Sequence, residues 1–143
     1  MLFSATRTVL LLTAAFLTPV YSAPMDLASR GSKASSTSHS GDGTFYQPGL
    51  GACGTDNTSH DLIVAVSHTL FDSYPGANPS NPNKNPICGK KLRATYGAKS
   101  VIVAVKDRCI GCATGDLDFT STGFGKLASL DKGRIHGVKW QWV

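Results

Sequence analysis

The stretch 100–124, SVIVAVKDRCIGCATGDLDFTSTGF, constrains the fold more than any other part of the chain. Val101, Val103 and Val105 alternate with Ile102 and Ala104, so both faces of the run are apolar. That pattern predicts a strand buried on both sides. The strand runs into Asp107, Arg108 and the pair Cys109/Cys112. Beyond a Gly-containing turn, residues 116–120 read as a second short strand, with Asp118 between Leu117 and Phe119. Two acidic residues are therefore expected at strand ends, close to a cysteine staple.

A chain of 143 residues makes one domain with a single core. Fourteen Lys and Arg against nine acidic residues give a net charge of +5. Apart from Lys90-Lys91 the cations are scattered along the sequence. Nucleic-acid binding uses clustered Lys and Arg interleaved with aromatics, so no nucleic-acid partner is expected. All nine acidic residues are Asp and none is Glu, so any carboxylate chemistry rests on Asp.

Residues 1–22 read as a secretory signal. Arg7 supplies its positive end and 9–17 an apolar segment too short to span a bilayer. Cleavage is expected at the Ser22-Ala23 bond, giving a secreted, extracellular protein without a membrane partner. In that compartment the four cysteines read as two disulfides. The redox or half-zinc reading of Cys109-x-x-Cys112 lacks a second such pair and a suitably spaced His, so no metal is expected. Three connectivities are possible. Cys53–Cys88 with Cys109–Cys112 is favoured because the long loop between the first two needs closing.

Taken in order, residues 23–40 form a Ser-rich arm with too few large apolar residues to order itself, and His39 reads there as a solvated linker residue. Order is expected from Gly43, with strands at 44–46, 62–66, 91–96 and 135–143 besides the two already described. Glycines flank Cys53 in a tight bend, and Asn57-Thr58-Ser59 is a formal N-glycosylation acceptor. Residues 72–86 carry four of the seven prolines and read as an irregular surface loop, pinned by the Cys88 bridge. Thr120 or Ser121 can cap a short helix over 123–130. Trp140 and Trp142 lie two apart and share a strand face, either as a sugar platform or, the favoured role, as barrel packing. Short strands, Gly-rich turns and one or two short helices predict an all-β domain over 41–143, a small closed barrel that leaves no strand edge exposed.

Thr44-Phe45-Tyr46, Gly51-Ala52-Cys53-Gly54, Val105-Lys106-Asp107-Arg108-Cys109, Gly111-Cys112, Asp116-Leu117-Asp118-Phe119-Thr120 and Phe124 occur in the order seen in secreted double-psi β-barrels. The chain resembles the barrel domain of expansins and of the loosenin-like proteins. It is also similar to rare lipoprotein A domains, barwin-like proteins and a group of secreted cysteine-protease inhibitors. The likeness covers 41–143 and implies a six-stranded, disulfide-stapled double-psi barrel. It further implies that Thr44, Tyr46 and Asp118 line an open groove holding a polysaccharide (cellulose, chitin, xylan or peptidoglycan), with Asp107 and His68 as further candidates. Expansins carry a second domain beyond the position of Val143, so a lone, monomeric barrel without cofactor is expected.

Glycoside hydrolysis normally takes two carboxyl groups flanking the scissile bond. Related barrel endoglucanases place a general acid at the position of Asp118 and take a second Asp from the first strand. Residues 43–46 carry no carboxylate, and the nearest, Asp42, lies just outside them. The resemblance therefore implies loosening of hydrogen-bonded glycans without cutting, with Asp118 and Asp107 as the candidate catalytic carboxylates should turnover exist. Beside Arg108, Asp107 reads equally well as an ion-paired structural residue. The competing reading is inhibition of a secreted cysteine protease through the segments 72–86 and 47–56, since a pinned, Pro-rich loop loses little entropy on binding.

Overall fold

The computed structural model describes residues 37–143. The expected signal segment and most of the Ser-rich arm lie outside the described residues. Six strands close a barrel in the order β1-β5-β2-β4-β3-β6. They are β1 (His39–Tyr46), β2 (Ile63–Ser67), β3 (Lys91–Tyr96), β4 (Lys99–Cys109), β5 (Leu117–Thr120) and β6 (Arg134–Trp142). Two pairs are parallel, β1 with β5 and β2 with β4, and the remaining pairs are antiparallel. This is the all-β double-psi barrel that the motifs predict, with short helices α1 (His68–Asp72) and α2 (Ser121–Gly125) at its rim.

Period-two alternation fills the interior. Val64, Val66, Leu92, Val103, Val105, Leu117, Phe119 and Phe124 are all buried, together with Trp140. Each such side chain contributes roughly 1.5–3 kcal/mol by leaving water. Three expectations change. First, β4 is not buried on both sides: Val101, Val103 and Val105 point inward, but Ile102 on the outer face is 43% exposed. The outer face meets solvent at Ile102, opposite Arg93, whereas β2 is the strand buried at every position. Second, β1 begins at His39 rather than Gly43, because residues 39–41 pair with β6. His39 stacks on Trp140 with ring centroids 4.0 Å apart and is not a free linker residue. Third, α2 is shorter than 123–130. Thr120 caps it, accepting from the Gly123 amide at 3.1 Å, and the chain then unwinds into turns that still bury Leu127 and Ala128.

Both favoured disulfides form, with Cα–Cα distances of 5.7 Å for Cys53–Cys88 and 5.4 Å for Cys109–Cys112. The first closes a 35-residue span, a loop whose closure removes on the order of 3–4 kcal/mol of unfolded-state entropy. The Pro-rich segment it tethers is also held from beneath. The buried Asn85 donates to the Phe71 carbonyl at 2.7 Å and accepts from the Ile87 amide at 3.0 Å, and Ile87 is itself fully buried. Asn57 is engaged as well, its side-chain amide donating to the Thr55 carbonyl at 2.7 Å.

Asn85→Ala strands two backbone groups and should lower stability by about 2–3 kcal/mol in denaturant titrations. Asn83→Ala, in the exposed part of the same loop, should change it by less than about 0.5 kcal/mol.

Candidate functional site

The site follows from register. Thr44 on β1 lies opposite Asp118 on β5, and Ala65 on β2 lies opposite both Asp118 and Asp107. Residues directly opposite share a face of the sheet. Phe45, Phe119 and Val64 face the interior in the adjacent row, so Thr44, Asp118, Ala65 and Asp107 form one outward row across four strands. The middle of that row is the smallest side chain in it. The two carboxylates therefore flank the buried Ala65.

The Thr44 hydroxyl donates to Asp118 Oδ1 at 2.7 Å. Burial pushes the Asp118 carboxyl above the usual carboxylate range, and the charge of Asp107 adds to this; the Thr44 hydrogen bond and Arg134 oppose it. Tyr46 donates its hydroxyl to Asp107 Oδ2 at 3.0 Å. Desolvation first, then the charge of Asp107, drives the Tyr46 phenol far above its ordinary value, so it stays protonated. Asp107 Oδ1 accepts from the backbone amides of Ala52 at 2.9 Å and Arg108 at 2.8 Å. The bend at Gly51-Ala52-Cys53-Gly54 makes the first of these possible. A side chain at Gly51 would run into the Lys106 carbonyl, and Gly54 holds a positive φ of 73°. The Asp107–Arg108 ion pair does not form. The Arg108 guanidinium turns to Asp72, with Nε 2.8 Å from Oδ1, and holds the Asp72 carboxyl below its ordinary range.

Beside Thr44 and Asp118 lies a hollow of about 330 Å³, walled also by Asp42, Asp116, Arg134, Gly111 and the Cys109–Cys112 disulfide. Asp42 takes 3.0 Å and 2.8 Å contacts from Arg134 and His136 Nδ1. Its carboxyl is held below the usual range, first by the His136 hydrogen bond. Asp116 accepts from the amides of Asp42 at 2.8 Å and Ala113 at 3.0 Å. Of the four carboxylates here, Asp118 is the one with an oxygen, Oδ2, that takes no hydrogen bond from the described residues. Cys109, Cys112 and Asp118 cluster tightly enough to suggest a metal site, but the two sulfurs are bonded to each other and offer no thiolate.

The structure thus brings Thr44 and Asp118 into one hollow and joins Tyr46 to Asp107 alongside it. His68 opens α1 beyond the end of β2, does not line the hollow, and its buried Nδ1 finds no hydrogen-bond partner among the described residues. From sequence, Asp42 reads only as the carboxylate just outside 43–46, and neither Asp116 nor Arg134 stands out as a site residue. Asp42 was detectable, since it stands two residues from Thr44 in one strand. Arg134 was not, because its contact with Asp42 spans 92 positions and depends on how β6 pairs with β1.

No protein-family model matches the chain. A papain inhibitor of Streptomyces mobaraensis is 36% identical over 104 residues, covering 70% of this chain and 68% of the inhibitor. The chain belongs to that inhibitor's family. The solved Streptomyces papain inhibitor superposes with a TM-score of 0.66 and 32% identity, covering 74% of this chain and 94% of that one. The Allergen Asp f 7 homolog of Arthroderma benhamiae is 34% identical over 117 residues. The chain spans only 38% of that protein's length. A Clavibacter michiganensis expansin variant solved with cellohexaose superposes with a TM-score of 0.59 at 25% identity, covering 74% of this chain and half of that one. Papain inhibitor and expansin barrel are thus both near relatives in structure.

Because the native state holds the Asp118 proton more tightly than the unfolded chain, its contribution to stability is greatest at low pH. It falls as pH rises through the raised folded value. In NMR titrations Asp118 should titrate above an ordinary Asp, and Thr44→Val, which removes the hydroxyl that favours the charged form, should move it higher still. Unchanged titration in Thr44→Val would rule out that hydrogen bond.

Proposed function

We propose that this is a secreted barrel that binds cell-wall polysaccharide along the Thr44–Asp118 hollow and the neighbouring Tyr46–Asp107 pair, loosening it without hydrolysis. The observation that carries the reading is the division of labour among the carboxylates. Asp118 presents a free, half-buried oxygen with a raised pKa, suited to share or donate a proton to a sugar hydroxyl or glycosidic oxygen. Asp107 and Asp116 each have both oxygens engaged by protein donors. Asp42 faces the same hollow, but Arg134 and His136 stabilise its charge, and a carboxylate held well below the working pH is a weak general base. One exchangeable carboxyl can compete for the hydrogen bonds between glycan chains. Cutting the bond calls for a competent second. The cellohexaose bound by the Clavibacter expansin supports a glucan as ligand. Two disulfides and the papain inhibitor's kinship support an extracellular setting.

A second reading, inhibition of a cysteine protease, draws on the family and on a different feature. A cleft of about 350 Å³ lies between the two loops tied by Cys53–Cys88, lined by Ala52 on one side and Ala77, Asn78, Pro79 and Pro82 on the other, with Phe71 beneath. Such a notch would take an apolar side chain of a protein partner.

Wet cellulose fibres treated with the protein should lose tensile strength while no new reducing ends appear in the same sample. Asp118→Asn should lose most of the weakening and bind cellohexaose about tenfold less tightly. New reducing ends would make the protein a hydrolase or lytic enzyme, and weakening that survives Asp118→Asn would sink the role given to that residue. For the second reading, papain inhibition should persist in Asp118→Asn and disappear in Ala77→Trp, which fills the cleft.

A further inference from the structure

The cations that look scattered in the sequence are gathered by the barrel. On β3, Leu92 and Ala94 are buried, so Lys91, Arg93 and Thr95 face outward. On β6, Val138 and Trp140 are buried, so Lys139 and Gln141 face outward. Register places Thr95 opposite Lys139 and Ser100, Arg93 opposite Gln141 and Ile102, and Ser40 opposite Lys139. Lys91 and Arg93 therefore stand about 7 Å apart along one strand, with Lys139 about 8 Å diagonally from Arg93. Between the cations lie hydroxyls and an amide. Ser38, Arg93, Thr95, Lys139 and Gln141 border a shallow trough of about 150 Å³ that Trp140 also lines, its buried ring stacked on His39.

No ion pair joins Lys91, Arg93 or Lys139 to a carboxylate among the described residues. None of the described Asp residues lies on this face. Asp42, Asp107, Asp116 and Asp118 surround the site above, Asp72 pairs with Arg108, and the rest stand in loops or turns. Three like charges this close repel one another, and an anionic partner would relieve that repulsion. The neighbours of the charges narrow the partner's chemistry. A protein interface needs apolar or aromatic anchors, a membrane surface needs apolar side chains to insert, and a nucleic-acid strand needs aromatic platforms. Ile102 and, at the end of β6 beside Lys91, Val143 are the large apolar side chains exposed here, too few and too far from Trp140 to form an anchor cluster. A trough of hydroxyls, an amide and regularly spaced cations suits a hydroxyl-rich chain carrying a carboxylate on each sugar.

We propose that this outer face of β3 and β6 is a second binding surface, for an anionic polysaccharide of the polyuronate class, independent of the Asp118 hollow. The probe is polygalacturonate in affinity electrophoresis of the full secreted chain at low salt. Methyl-esterified polygalacturonate, polyglutamate and a variant of equal net charge, Lys84→Gln with Lys126→Gln and Lys132→Gln, serve as comparisons. The protein should be retarded by polygalacturonate, less with added salt, and little by the ester or by polyglutamate. The combined Lys91→Gln, Arg93→Gln and Lys139→Gln variant should bind at least about tenfold more weakly, while the equal-charge variant binds like the parent. If the triple variant does not fold, as judged by circular dichroism, Arg93→Gln alone should cost about threefold. Absence of retardation, equal loss in the equal-charge variant, or polyglutamate retardation as strong as that of the polyuronate would each overturn the proposal.

Discussion

The carboxylate of Asp107 ties together three parts of the chain that are far apart in sequence. It accepts hydrogen bonds from the phenol of Tyr46 on β1 and from the amide of Ala52 in the glycine-rich bend, and it orders its own strand through the Arg108 amide. Each of these bonds is half-buried, where charge-assisted hydrogen bonds are stronger than in water. The bend places Cys53 so that its disulfide can reach Cys88, which in turn tethers the Pro-rich rim. Remove the carboxylate and the bend, the first strand and the rim lose a common anchor. The hydrogen bonds of Asp107 thus hold this end of the barrel in shape.

Much of this was legible before any coordinates. Alternation along residues 100–105 gave β4, the Thr-Phe-Tyr segment gave the strand that carries the half-buried Thr44 and Tyr46, and the cysteine count in a chain read as exported gave the two bridges. What escaped has a common physical reason. The exposure of Ile102, the stacking of His39 on Trp140 and the grip of Arg134 on Asp42 all depend on which strand lies beside which, and pairing is not a property of any local window. Local pattern finds elements and faces. Closure decides what each outer face meets.

Closure also sorts charge. A sequence with acids and bases interspersed folds so that four Asp residues gather around one end of the β1–β5 seam, while Lys91, Arg93 and Lys139 of β3 and β6 occupy a face without them. Like-charge crowding at the acidic end is relieved in three ways at once: Asp42 by a guanidinium and an imidazole, Asp107 and Asp116 by amides and a phenol, and Asp118 by retaining its proton more readily. The last of these is the only relief that leaves the group chemically available. Its raised pKa comes first from burial, with the charge of Asp107 adding to it.

The pairing of β1 has a consequence for how the molecule comes into being. Its partners are β5 in parallel and β6 in antiparallel, so the first strand of the barrel is held only by the last two. Until residues 134–142 have left the ribosome, β1 has half its ladder unmade and the barrel stays open at that seam. A topology so dominated by distant contacts folds slowly and only once the chain is complete. The seam between β1 and the nine-residue β6 is therefore the last part of the barrel that can close.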